Sequence, residues 1–359
     1  MIPVSYINDD VSLASFCESN KDRSQLMLDT EFLRERTFFP VLCLIQIATD
    51  DAIVLIDPLA IKKMEPLWHL LTHATLVFHA ARQDIEVLSQ ASNRLPARIL
   101  DTQIAAALCG FPAQIGYANL VQELLGVSLA KSHTRTDWSR RPLRTSELEY
   151  AADDVRYLGQ ITPVLQDRLE NLGRTDWAWE DSNRQLRSEL YAEETDQAWR
   201  RVKGMNRMRE ESHRRARVLA SWRETVATER NLPRRWVIKD EELVAIASQN
   251  PTTIGEVSVY LQSKKAQSRY GGPIIAALAS AATDVSDWSP AARPDGEQRA
   301  TAKRLGQIVQ AAAESLEIDS EIIAPQRELK AAAAGDRNLR VFSGWRDKLV
   351  GDQLRAELG

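Results

Sequence analysis

The chain has 359 residues, a hydrophobic fraction of 44% and 46 basic against 50 acidic side chains, for a net charge of −4. That composition excludes wholesale disorder and a uniformly basic nucleic-acid coat protein, and the length fits two or three domains. Three scattered cysteines, Cys17, Cys43 and Cys109, offer neither a disulfide framework nor a cysteine zinc site.

The first 130 residues read as an α/β domain. Residues 25–32, 40–48, 52–57, 75–80 and 98–100 are strand patterns rich in Val, Ile and Leu, with Asp50 and Asp51 as a turn. Between the later strands, 65–72, 82–91 and 101–109 look helical, which predicts a mixed sheet flanked by helices. From residue 146 onward everything looks helical. Thr145 or Ser146 is a candidate N-cap, 209–231 forms one long helix, and 240–249 forms another with Asp240 as its cap. Pro290, Pro294 and Gly296 mark 287–298 as a linker, and the alanine run 331–334 favours helix. The N-terminus has no basic stretch followed by an apolar one, and no apolar run reaches the ~20 residues that span a bilayer. The expectation is a cytoplasmic protein with no membrane contact and no obligate protein partner.

Asp29 and Glu31 lie two apart in the first strand pattern, so both carboxylates face one side of the sheet. Such a pair repels itself unless a hard cation lies between its members. The spacing alone is weak, since Asp-x-Glu occurs five times in the chain, but only this copy is embedded among apolar residues. Asp84 follows the strand 75–80 at the start of a helix, near the sheet edge where α/β proteins gather ligands; a plain first-turn acid is the alternative. Tyr150 and Asp154 share a helix face at i and i+4, and Asp153 lies close to the same face. Asp101 reads as an N-cap, and His79 as a bystander close to the site.

Taken in order, Asp29-x-Glu31, Asp84 and Tyr150-x-x-x-Asp154 change the odds. The segments "MLDTEFLRERTFFPVLCLIQIA", "VFHAARQDIEVL", "LDTQIAAALCG", "RTDWSRRPL" and "EYAADDVRYL" resemble the ribonuclease D family, over essentially residues 1–172. This family belongs to the exonucleases with four acidic ligands and a tyrosine in the third motif. Residues 207–285, with "ERNLPRRWVIKDEELVAIA" and "YGGPIIAAL", are similar to the helical HRDC module, and 297–359 looks like a diverged second copy. The resemblance implies a ribonuclease-H-like α/β exonuclease domain over 1–190 followed by two all-α HRDC domains. It also implies that Asp29, Glu31, Asp84 and Asp154 bind two divalent ions, Mg²⁺ or Mn²⁺, and that Tyr150 orients the attacking water. The implied reaction is 3′→5′ hydrolysis of RNA to 5′-mononucleotides, with tRNA precursors bearing an accessible 3′ end as substrate. A DNA exonuclease and a non-catalytic RNA-binding protein remain the alternatives.

Charge is unevenly spread. Residues 200–239 hold thirteen basic and four acidic side chains, including Arg214, Arg215 and Arg217. Residues 131–144 add Lys131, Arg135, Arg140, Arg141 and Arg144 against Asp137. Arginine forks suit phosphates, and Trp138, Trp222 and Trp236 among them could stack on unpaired bases. These two stretches are the expected guide for an RNA 3′ end.

Overall fold

The computed structural model describes residues 2–129, 136–192, 195–205, 208–281 and 294–359. Six strands form one sheet: β1 (Val4–Ile7), β2 (Gln25–Leu33), β3 (Val41–Ala48), β4 (Ile53–Ile56), β5 (Thr75–Phe78) and β6 (Arg98–Asp101), in the order β1-β4-β3-β2-β5-β6. β3 and β4 are antiparallel, whereas β1–β4, β2–β5 and β5–β6 are parallel. The five strands expected from the sequence are all present. The edge strand β1 and the helix α1 (Asp10–Asn20) are additions.

Both faces of the sheet are covered, which is why its strands are continuous apolar runs. Period two sorts their side chains into two cores. Met27, Leu44, Val77 and Leu100 point into one; Leu26, Leu28, Ile45, Phe78 and Ile99 point into the other. The second core is completed by α1, α2 (Glu65–His73) and α3 (Arg82–Ser92), through residues such as Leu13, Leu67 and Ile85. The first takes α4 (Thr102–Leu108), α5 (Tyr117–Leu125), α6 (Thr145–Arg156), α7 (Leu158–Asn171) and α8 (Thr175–Arg184). Helices α3 and α6 thus approach β2 from opposite faces.

Residues 297–359, expected as a separate module, share that first core. Here α14 (Gly296–Leu316) buries Leu305, Val309 and Ala313 in that core, and α15 (Ser320–Ile323) and α16 (Gln326–Ala333) pack beside it. A single turn, α17 (Gly344–Arg346), runs through a π turn into α18 (Asp352–Leu358). Trp345 stacks on Trp177 with ring centroids 4.3 Å apart. The buried Arg346 grips Asp181 with both terminal nitrogens, at 2.5 and 2.6 Å. The expected linker lies outside the described residues as far as 293, and from Gly296 the chain is already helical.

The second compact unit comprises Ala192–Arg293 and the short segment Arg34–Val41. It contains α9 (Glu210–Glu229), α10 (Arg234–Val237), α11 (Asp240–Gln249), α12 (Ile254–Tyr260) and α13 (Lys264–Ser280), closed over Leu219, Leu243, Ile246 and Ile274. Asn231, in the left-handed region at φ 47°, accepts the N–H groups of Phe38 and Phe39. Two capping expectations are corrected. Arg144 and Lys239 occupy the N-cap positions of α6 and α11, and in each case a glutamate three residues on, Glu147 or Glu242, accepts the cap N–H at 2.7 Å. The glutamate reaching back thus satisfies the backbone N–H of the cap residue itself. Among the described residues, no helix is long and apolar enough to cross a membrane.

Candidate active site

β2 carries Asp29 and Glu31 on the same face as Met27, the face covered by Ala151, Ala152 and Val155 of α6. Helix periodicity then brings Tyr150 and Asp154 of α6 toward the two carboxylates. Asp84 arrives from the other side, in the first turn of α3. Its Oδ1 accepts both the N–H (3.1 Å) and the hydroxyl (2.6 Å) of Thr30, the residue between Asp29 and Glu31. Two strand residues and one residue from each flanking helix therefore meet at the C-terminal half of β2.

The electrostatics agree with convergence. Burial, then the charges of Asp84, Asp154 and Glu31, push the Asp29 carboxyl well above its ordinary value. Burial and the charges of Asp154 and Asp84 raise Glu31 to about 8. Asp84 is raised to about 7 by burial, against the pull of its Thr30 bonds. Asp154 is raised to about 7 by burial and by the Asp153 and Asp84 charges, and it bonds the Tyr150 hydroxyl. Tyr150 is pushed up by burial and by Asp154, Glu31 and Asp29. Carboxylates that titrate this high lack countercharge, and an all-oxygen donor set of this kind suits a hard divalent cation. Among the described residues, no three such groups already close a cage around one point.

Asp153 is separated from Asp154 by its partner. It is ion-paired with Arg156 at 2.6 Å, and its charge helps to raise the pKa of Asp154. Asp101 caps α4 through Gln103, as expected, and does more. It accepts the N–H groups of Ala80 (φ 64°) and Ala81 and the side-chain amide of Gln185. It thereby holds the strained turn that launches α3 and Asp84. Thr30 and Ala80 carry no signal in the sequence, because their roles come from strands and helices meeting. His79 is bound through both ring nitrogens, to the Thr102 hydroxyl and the Ile115 carbonyl, so the ring is engaged in the fold, and burial lowers its pKa.

The expected RNA guide is only partly in place. Lys131 and Arg135 lie outside the described residues. Arg140 is half exposed and donates to the buried Glu147 at 3.0 Å. Arg141 is corrected: it is locked to Asp57 and to three backbone carbonyls, with no donor left for phosphate. Arg214 pairs with Glu210 at 3.7 Å, and Arg215 donates to the Ala247 carbonyl. Arg217 lies 5.8 Å from the Trp199 ring centroid. Trp138 is a core residue, so stacking on bases is corrected for it, while the partly buried Trp222 packs edge-on against Tyr270. Trp236 is half exposed, at 51%.

Comparison with known proteins matches this architecture. Residues 4–170 match the family model described as 3′-5′ exonuclease, and residues 212–278 match the HRDC domain model. Ribonuclease D of Jannaschia sp. (strain CCS1) is 36% identical over 96% of this chain and 92% of its own length. Ribonuclease D of Nitrobacter hamburgensis is 34% identical over 98% and 94%. The crystal structure of Escherichia coli RNase D superposes with a TM-score of 0.90 at 32% identity, covering 98% of both chains. A Bifidobacterium adolescentis protein shares the fold at a TM-score of 0.72 and 22% identity. Fold and site together define a 3′–5′ exonuclease domain joined to an HRDC module. The chain belongs to the ribonuclease D family, and it is accordingly a 3′–5′ exoribonuclease.

Proposed function

We propose that this exoribonuclease removes 5′-mononucleotides from RNA 3′ ends by two-metal hydrolysis, with Asp29, Glu31, Asp84 and Asp154 as the ligands. The observation that carries the reading is a set of four carboxylates, Asp84 buried and Asp29, Glu31 and Asp154 half-buried, whose pKa values are all raised, toward one end of β2. A bound pair of Mg²⁺ or Mn²⁺ ions would offset that charge and stabilise the attacking and leaving oxygens of the phosphodiester. The residues themselves do the rest. Thr30 orients Asp84, and Tyr150, bonded to Asp154, holds the attacking water in line. The high pKa of Tyr150 keeps its proton in place, so it serves as a hydrogen-bond donor and orienter rather than as a base.

Structured RNAs, tRNA precursors first among them, are the proposed substrates. The E. coli relative is described as an exoribonuclease involved in structured RNA processing, which supports this. Arg140, Arg214 and Arg217, with the exposed Trp236, are the proposed contacts for the incoming strand. Matched 3′- and 5′-labelled RNA and DNA, incubated with and without Mg²⁺, test the reading. Mononucleotides should leave the RNA 3′ end first and only with metal. Equal rates on DNA would favour the DNA-exonuclease alternative, and release without metal would overturn the mechanism.

A further inference from the structure

A guanidinium has five N–H donors, and in Arg141 all five are used. Nε and Nη2 hold Asp57 at 2.6 and 2.7 Å, and Nη2 also donates to the Cys43 carbonyl at 2.7 Å. Nη1 donates to the carbonyls of Trp138 (2.8 Å) and Arg140 (2.9 Å). Asp57, only 2% exposed, also accepts the Tyr6 hydroxyl at 2.5 Å and the Leu59 N–H at 3.0 Å. The knot ties β1, β3 and the end of β4 to the segment that leads into α6.

That segment, 136–144, contains no helix or strand, yet its Trp138 is 4% exposed and lies in the core with Ala151, Ala152 and Val155. The Trp138 ring faces the Tyr150 ring at a centroid distance of 6.2 Å and an interplanar angle of 32°. Two restraints fix this tryptophan in an otherwise irregular stretch. One is the Arg141 bond to its carbonyl. The other is the Asp137 turn, in which Asp137 accepts Ser139 and Arg140 donors.

We infer that Arg141 is a positioning residue for the reaction, acting through Trp138 to hold Tyr150 against the carboxylates, and not an RNA contact. The inference rests on the role proposed above for Tyr150. A side chain displaced by ~1 Å costs on the order of 100-fold in rate, whereas a lost phosphate contact costs affinity and lowers the salt slope by ~0.7 for a single strand.

The test uses the full-length Mg²⁺ enzyme. Single-turnover cleavage of a 3′-labelled oligoribonucleotide is measured at saturating enzyme, and binding of the same RNA is measured without metal across a salt series. Arg141→Gln and Trp138→Ala should both slow cleavage, by about 10- to 100-fold, with binding and salt slope unchanged. The double variant should be no slower than the worse single one, and Trp138→Phe should recover most of the rate. Should Arg141→Gln fail to fold, Trp138→Ala, which leaves the Arg141–Asp57 pair intact, carries the test alone. Normal cleavage by Trp138→Ala, or weaker binding with a reduced slope for Arg141→Gln, overturns the inference. Tyr150→Phe separates the two readings. If it is fully active, the proposed role of Tyr150 fails. If it is inactive while Trp138→Ala is normal, only the positioning inference fails.

Discussion

Glu224 of the helical unit and Glu31 of the exonuclease unit are both glutamates drawn out of water, and their surroundings are opposite. Glu224, 2% exposed, is gripped by Arg234 through two bonds and by Arg201 through a third. Glu31 faces Asp154 and Asp84, and its pKa climbs to about 8. Arg223 with Asp240, Arg346 with Asp181 and Arg141 with Asp57 follow the first pattern. Asp29, Asp84 and Asp154 follow the second. Buried charge that builds the fold is paired, because an unpaired buried ion costs several kcal/mol. Carboxylates left facing their own kind titrate high, the pattern on which the proposed metal site rests.

The contrast can be broken most sharply at adjacent aspartates. Asp154→Asn should lower RNA hydrolysis by about 10²–10³-fold, whereas Asp153→Asn, which loses only a partly exposed pair with Arg156, should stay within about twofold. Steady-state rates on one RNA decide it, and the reverse order would exchange the two assignments.

Metal and pH sharpen the same contrast. The four carboxylates titrate higher when folded than when unfolded, so between about pH 4 and 8 the folded state binds more protons. Metal-free stability should therefore fall as pH rises through that window. Mg²⁺ must displace those protons, so it should raise the melting temperature more at about pH 8 than at about pH 5.5. A Mg²⁺ effect independent of pH in thermal denaturation would count against a cluster that is protonated without metal.

Smaller is the effect expected at Glu224. Glu224→Gln should destabilise the helical unit by about 1–3 kcal/mol and leave single-turnover hydrolysis of a short RNA unchanged. Urea unfolding followed by tryptophan fluorescence gives the first figure. Smallest is Arg214→Ala. Its Glu210 pair is long and exposed, so stability should not move, while the salt slope of RNA binding should drop by ~0.7 if it meets one phosphate.

Much of the exonuclease architecture was legible because its strands are buried on both faces and so appear as unbroken apolar runs, as in residues 41–48 and 53–56. β1 was not legible, since three of its four residues are not buried and its place comes from parallel pairing with β4, about fifty residues on. For α1 the signal existed: Asp9 caps it, and Leu13 and Cys17 bury one stripe. Residue type alone does not sort the basic stretches. A guanidinium that knots a core and one that awaits phosphate are the same letter, and Arg141 and Arg214 differ only in what surrounds them.

By itself the sequence determined a mixed sheet flanked by helices, because hydrophobic period is a local property of a chain, and its resemblance to a family supplied the type of domain and the candidate carboxylates. Only the tertiary structure gave Asp101 and Thr30 their further bonds, packed residues 297–359 into the core of the exonuclease unit and turned Arg141 and Trp138 inward. Each of those outcomes depends on a partner distant in sequence, or on which way a helix is rolled against the sheet. Burial and pairing, not residue type, set what a charge does.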